Sequence, residues 1–167
     1  MADSKAETVK AFLNVFHGEA APEPADLARY MQQDAEYWSL VPAAPPLSGV
    51  DAISAGVKRQ FETYRDCRCE IHAIAEQGDF VFTERTDHVV LNSDDRTVSA
   101  RICAVFEFGT DGRIASWREY WDSHEVTQQM GVGQGDQPAI QYAYRLTAEV
   151  NTGEPMGFDL NRDGKDD

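Results

Sequence analysis

Val9, Phe12, Leu13 and Phe16 repeat at i, i+3, i+4 and i+7, the apolar stripe of a helix with one face in a core. Ser4 followed by Glu7 forms a capping-box signature ahead of it, and Gly18 marks its end. After the Pro22-Glu23-Pro24 breaker, Leu27 and Met31 stand one helical turn apart and predict a short second helix over 25–31. Residues 35–41 are aromatic and β-prone and end at Pro42 and the Pro45-Pro46 pair, which predicts a strand and then a rigid loop. A third helix follows Ser48, with Ile53, Val57 and Phe61 spaced by four. From Cys67 the pattern becomes extended, with strands predicted over 68–75, 80–92, 97–108 and 113–122. Turn signals at Gln77-Gly78-Asp79, Asn92-Ser93-Asp94-Asp95 and Thr110-Asp111-Gly112 separate them. Helices first and a meander afterwards predict an α+β domain, its helices packed on one face of a curved antiparallel or mixed sheet.

That domain is expected to occupy residues 1–128, with an extension over 129–167. In the extension, Gly131 to Gly135 forms a joint and Pro138 to Val150 has the character of one more helix, with Pro138 suited to its first turn. Asp159 to Gly164 has the oxygen spacing of the first half of a calcium loop, but the chain ends before the acidic residue that completes one. An acidic tail is the reading preferred there.

Bulk properties narrow the function. At 167 residues, 42% hydrophobic and 26% charged, the chain has the composition of a globular domain with a real core. A formal net charge of −14 repels phosphates and anionic bilayers, so nucleic acid and membrane surfaces are discounted as partners. No apolar run approaches the roughly 20 residues of a membrane span, and the N-terminus lacks a secretory pattern, so a cytoplasmic location is expected. Cys67, Cys69 and Cys103 read as free thiols, and Cys67-Arg68-Cys69 lacks the further ligands zinc requires. There is no G-x-G-x-x-G, P-loop or G-x-S-x-G motif, and no cofactor is expected.

The chemistry lies on two strands. Arg85 and Asp87 alternate onto the face that carries Val81, Thr83 and Val89, so a guanidinium and a carboxylate stand in a weakly polar row. From this strand alone a structural salt bridge is the commoner reading. On the last strand Trp117, Glu119 and Trp121 share a face, and a carboxylate between indoles is desolvated and suited to proton transfer near neutrality. The alternative is that Glu119 merely pairs with an arginine. Tyr37 and Ser39 share a face of the first strand, where two hydroxyls either position a water or satisfy nearby backbone. His72 and His88 read as surface or satisfied histidines, His124 as a candidate for the pocket mouth, and Asp122 as structural. Two carboxylates, one arginine and two hydroxyls can activate water with one carboxylate and protonate an oxygen with the other, as epoxide opening requires.

The succession Glu36-Tyr37, Thr83-Glu84-Arg85-Thr86-Asp87, Val105-Phe106-Glu107-Phe108 and Trp117-Arg118-Glu119-Tyr120-Trp121-Asp122 resembles the limonene-1,2-epoxide hydrolase family, within the nuclear transport factor 2-like superfamily. The likeness covers Val9 to Glu125. It implies a cone-shaped sheet with the N-terminal helices packed over a pocket, and a homodimer, for which the outward-facing Phe82, Thr86 and His88 are candidate contacts. By position it implies Asp87 as the acid, Arg85 as the bridge between carboxylates, and Tyr37 as a holder of water. The family's basic aspartate is replaced here by Glu119, and its water-holding asparagine by Ser39. Trp117, Trp121 and Val89 would then shape the pocket for a small apolar epoxide. Two rivals use the same residues. One is a polyketide-cyclase-like or ketosteroid-isomerase-like catalyst that moves a proton on carbon; the other is a small-molecule-binding module in which the charges are structural.

Overall fold

The computed structural model describes residues 4 to 131. Ser4 Oγ accepts from the Glu7 N–H at 3.2 Å and opens α1 (Lys5–Asn14), while the Glu7 carboxylate pairs with Lys10 at 2.7 Å. The remaining helices are α2 (Pro24–Ala28), α3 (Val50–Thr63) and α4 (Ser123–Gln129). The strands are β1 (Met31–Trp38), β2 (Leu47–Ser48), β3 (Tyr64–Gln77), β4 (Phe80–Leu91), β5 (Thr97–Phe108) and β6 (Ile114–Trp121). They form one curled, unclosed sheet in the order β2-β1-β6-β5-β4-β3. Only the β1–β6 pairing is parallel, so the sheet is mixed, as expected of an α+β cone.

Two bulges in β3 supply curl. Tyr64, Cys67, Cys69, Ile71 and Ile74 all belong to the core or pack against it, a spacing that breaks strict alternation twice. The register slips by one residue between Arg65 and Arg68 and again between Ile71 and Ala73, and each extra residue restores the inward phase. Asp66, at φ 54°, lies in the first slip. There Cys67 exchanges two 3.1 Å backbone hydrogen bonds with Gly18, which pins the end of α1 to the sheet.

Several elements depart from expectation. The second helix stops at Ala28, not Met31, because the Ile114 N–H donates to Tyr30 O at 2.8 Å and Met31 enters the sheet opposite Ile114. β1 therefore begins earlier than residue 35 and ends at Trp38, which leaves Ser39 just beyond the strand. β3 begins at Tyr64 rather than residue 68. β2 and α4 were not expected, and α4 runs across the 128/129 boundary. The helix expected over Pro138 to Val150 and the Asp159 to Gly164 segment lie outside the described residues. Among the described residues no helix is long and apolar enough to cross a membrane.

On the outer face Phe82 and Tyr120 are each 41% exposed. Thr86 Oγ1 meets His72 Nε2 at 2.7 Å, and His88 lies between Ser99 Oγ at 2.8 Å and Glu70 at 3.3 Å. On the inner face Phe12 is fully buried and meets Phe16, Phe106 and Trp117 edge-on or nearly so at centroid distances of 5.3, 6.0 and 5.1 Å. Phe12→Ala should lower unfolding free energy by about 3–5 kcal/mol in urea titration. A loss below about 1 kcal/mol would mean that α1 is not anchored to the sheet through this ring.

Candidate active site

Cross-strand partners share a face, so the register assembles the interior side chains. Tyr37 stands beside Trp117, which pairs with Phe106 and through it with Val81. Glu119 pairs with Ala104 and through it with Thr83. Trp121, Ile102 and Arg85 form the next row, and Ala100 and Asp87 the one beyond. Glu119 and Arg85 thus lie on opposite sides of β5, one row apart. The small side chain of Ala104 leaves room for the guanidinium to cross.

Arg85 does cross. It is 1% exposed, and its Nε and Nη2 donate to the two oxygens of Asp87 at 2.8 and 3.0 Å. Nη2 also donates to Glu119 Oε1, and Tyr37 OH donates to Glu119 Oε2 at 2.9 Å. Tyr37 is oriented by stacking on Trp117, with ring centroids 4.0 Å apart at 22°. Trp121 Nε1 donates to Ser39 O at 2.7 Å and fixes the turn that follows β1. Ser39 Oγ, Arg85 Nη1 and Trp117 Nε1 are buried and have no protein partner. An unpaired buried donor costs about 1–3 kcal/mol, a local cost carried by the packing around them.

These side chains line a cavity of about 210 Å³. Asp87, Arg85, Glu119, Tyr37 and Ser39 converge there, as do Trp117, Trp121 and Val89. The histidines do not. His72 and His88 lie on the outer face, and His124, exposed and paired with Gln128 at 3.0 Å, does not line the cavity. Asp122 caps α4, accepting from the His124 and Glu125 N–H groups at 2.9 and 3.2 Å. Sequence reasoning missed Tyr64 and Gln60, which share a 3.2 Å hydrogen bond at the cavity wall, and Val126 and Met130 around α4. Asp122 and Glu125, three residues apart ahead of Val126, carried a capping signal for α4.

Burial pushes the Glu119 carboxyl above its ordinary value of 4.5; the Arg85 charge pulls the other way and does not prevail. Burial, reinforced by the Glu119 charge, raises the Tyr37 phenol well above 10.0, so it remains a donor. The Cys69 thiol is raised by its hydrogen bond with Cys67 and then by burial, which keeps it protonated and unreactive. No cluster of His, Cys, Asp or Glu among the described residues could hold a metal ion.

A curled, unclosed sheet with helices over its inner face and polar groups inside is the nuclear transport factor 2-like cone. Residues 9–117 match the SnoaL-like domain, and the chain belongs to that family. An LEH-like epoxide hydrolase from Mycobacterium tuberculosis superposes with a TM-score of 0.62 at 26% identity, covering 77% of this chain and 90% of that one. Epoxide hydrolase EphG of M. tuberculosis is 40% identical over 57 residues, 34% of this chain and 36% of that protein. The latter match therefore spans about a third of the relative's length. A Catenulispora acidiphila protein with a ketosteroid isomerase-like fold, solved with trimethylamine, superposes at a TM-score of 0.66 and 17% identity over 81% of this chain and all of that one. At that identity the likeness is one of fold.

The position of Glu119 has a consequence for stability. Above pH 4.5 an unfolded glutamate is ionised, whereas the folded carboxyl resists ionisation, so this stabilising contribution is full below 4.5 and is lost as pH rises through the folded value. Glu119→Gln leaves the Arg85–Asp87 pair neutral and should be more stable than the parent at pH 8, with the difference shrinking towards pH 4.5. Urea unfolding at several pH values measures this, and a difference that does not change with pH would contradict it.

Proposed function

We propose that the protein is a cofactor-independent epoxide hydrolase that opens a small apolar epoxide with water to a diol. The observation that carries the reading is Arg85 in contact with both Asp87 and Glu119 at the wall of an otherwise largely apolar cavity. The cluster has one positive charge and two ionisable carboxyls, so a single proton neutralises it in a low-dielectric site. The reacting form this reading requires is the one with the proton on Asp87 and Glu119 ionised, reached by moving the proton across the cluster that Arg85 bridges.

Protonated Asp87 donates to the oxirane oxygen as a ring C–O bond breaks. Glu119 takes a proton from water as the water oxygen bonds to the same carbon. The product is the diol, and the proton has moved from Asp87 to Glu119; transfer back to Asp87 resets the site. Arg85 stabilises whichever carboxylate is charged. Tyr37 OH steers the Glu119 carboxylate, and Ser39, which also lines the cavity, is the second hydroxyl assigned to the water. Glu119 has one more methylene than aspartate and Ser39 a shorter reach than asparagine, so both departures from the family that the sequence resembles fall on the water-activating side of the site.

A second reading keeps the residues and consumes no water: Glu119 moves a proton on a carbon beside a carbonyl. Membership of the SnoaL-like family and a glutamate desolvated by burial favour it. Oxygen-18 water separates the two. Under the hydrolase reading a panel of cyclic and linear epoxides yields singly labelled diol, and Asp87→Asn and Glu119→Gln each lower kcat by about a hundredfold or more. No labelled diol from any epoxide, with deuterium entering a ketone from heavy water, would reject that reading in favour of the second.

A further inference from the structure

β6 pairs with β5 only as far as Trp121 opposite Ile102, whereas β5 runs back to Thr97. The backbone of β5 from 97 to 101 therefore lacks a strand partner on that side. Gln129 takes the vacant place. Its Oε1 accepts from the Ser99 N–H and its Nε2 donates to Ser99 O, both at 2.8 Å, so one side-chain amide imitates the missing strand residue. Arg96 Nη1 adds a 3.4 Å bond to Gln129 O, and Asp122 caps the other end of α4. A seven-residue helix is too short to be stable alone. These contacts fix it at both ends.

The clamp has a functional consequence. Val126 and Met130, one helical turn apart and joined by a 3.0 Å backbone bond, line the same cavity as the carboxylates. With them stand Val89, Leu91, Val98 and Ala100, all apolar. Leu91 is four residues beyond Asp87, about 13 Å along the strand. The cavity thus reaches from the charged cluster along β4 and β5 towards α4.

We infer that Val126 and Met130 form the end wall of an apolar arm of the cavity and set the length of substituent it accepts, and that Gln129 is the positioning residue that holds this wall against β5. Given the hydrolase reading above, the substrate is an epoxide with an apolar arm, its oxirane at Asp87 and its arm pointing to α4. A long arm is rejected by the wall rather than by the chemistry.

Binding of linear primary alcohols of increasing length to the full chain, followed by titration calorimetry, tests the wall without turnover. Affinity should climb about fourfold per methylene and then level off where the chain meets α4. Met130→Ala should move the plateau to longer alcohols and Met130→Trp to shorter ones, opposite shifts that general destabilisation does not produce. Gln129→Leu should blur the cut-off and speed hydrogen exchange of the Ser99 amide. A plateau at one length in all three variants, or a Ser99 amide equally protected in Gln129→Leu, would overturn the inference. A plateau that moves with Met130 in a protein that hydrolyses no epoxide would support the wall and reject the hydrolase reading.

Discussion

The guanidinium of Arg85 is the constraint on which the rest of the interior depends. A cation 1% exposed is tolerated only when its charge is answered nearby, and here Asp87 answers from its own strand and Glu119 from across β5. That arrangement dictates its surroundings. Ala104 and Ala100 stay small beside Glu119 and Asp87, and the β3 bulges curl the sheet so that its inner face encloses the cluster. The aromatic packing of Phe12, Phe16, Phe106 and Trp117 closes one side against water. A dry setting strengthens every charge interaction inside it and makes each unpaired donor costly.

In the proposed hydrolase the same cost would be the source of reactivity. Burial resists the ionisation of Glu119, and in the proposed hydrolase the two carboxyls that share Arg85 divide the work of acid and base. The fold tolerates Glu119 in a position where an uncharged residue would be easier to bury, a cost in stability that the proposed chemistry would account for. The unpartnered Ser39, Arg85 and Trp117 polar atoms belong to the same economy. They are unsatisfied groups held in place by well-packed neighbours.

Much of this was legible in the sequence, because β4 and β6 alternate strictly. Parity alone placed Val81, Thr83, Arg85, Asp87 and Val89 on one face and Trp117, Glu119 and Trp121 on another, and the register brings those faces together. The α1 stripe was equally clear, since four apolar residues at helical spacing have few other uses. What escaped were the places where a local rule yields to a distant partner. Met31 has helical spacing from Leu27 but is taken by the sheet through Ile114. The β3 bulges lie where the inward residues 64, 67, 69, 71 and 74 break alternation, a signal that reads as noise until a partner strand supplies the register. The α4 clamp was invisible for a related reason, because Gln129 is an ordinary surface residue until β6 ends early beside it.

The central proposal, on which the hydrolase reading rests, is that Asp87 and Glu119 share one proton beside Arg85 at neutral pH. The infrared spectrum of the carboxyl stretching region tests it directly, read as the difference between the parent and Arg85→Met, Asp87→Asn or Glu119→Gln. The account predicts one buried protonated carboxyl per chain at pH 7, lost in both carboxylate variants because the remaining acid then pairs with Arg85 as its sole counter-ion. A parent spectrum at pH 7 with no protonated-carboxyl band that the Asp87→Asn and Glu119→Gln variants lack would contradict it.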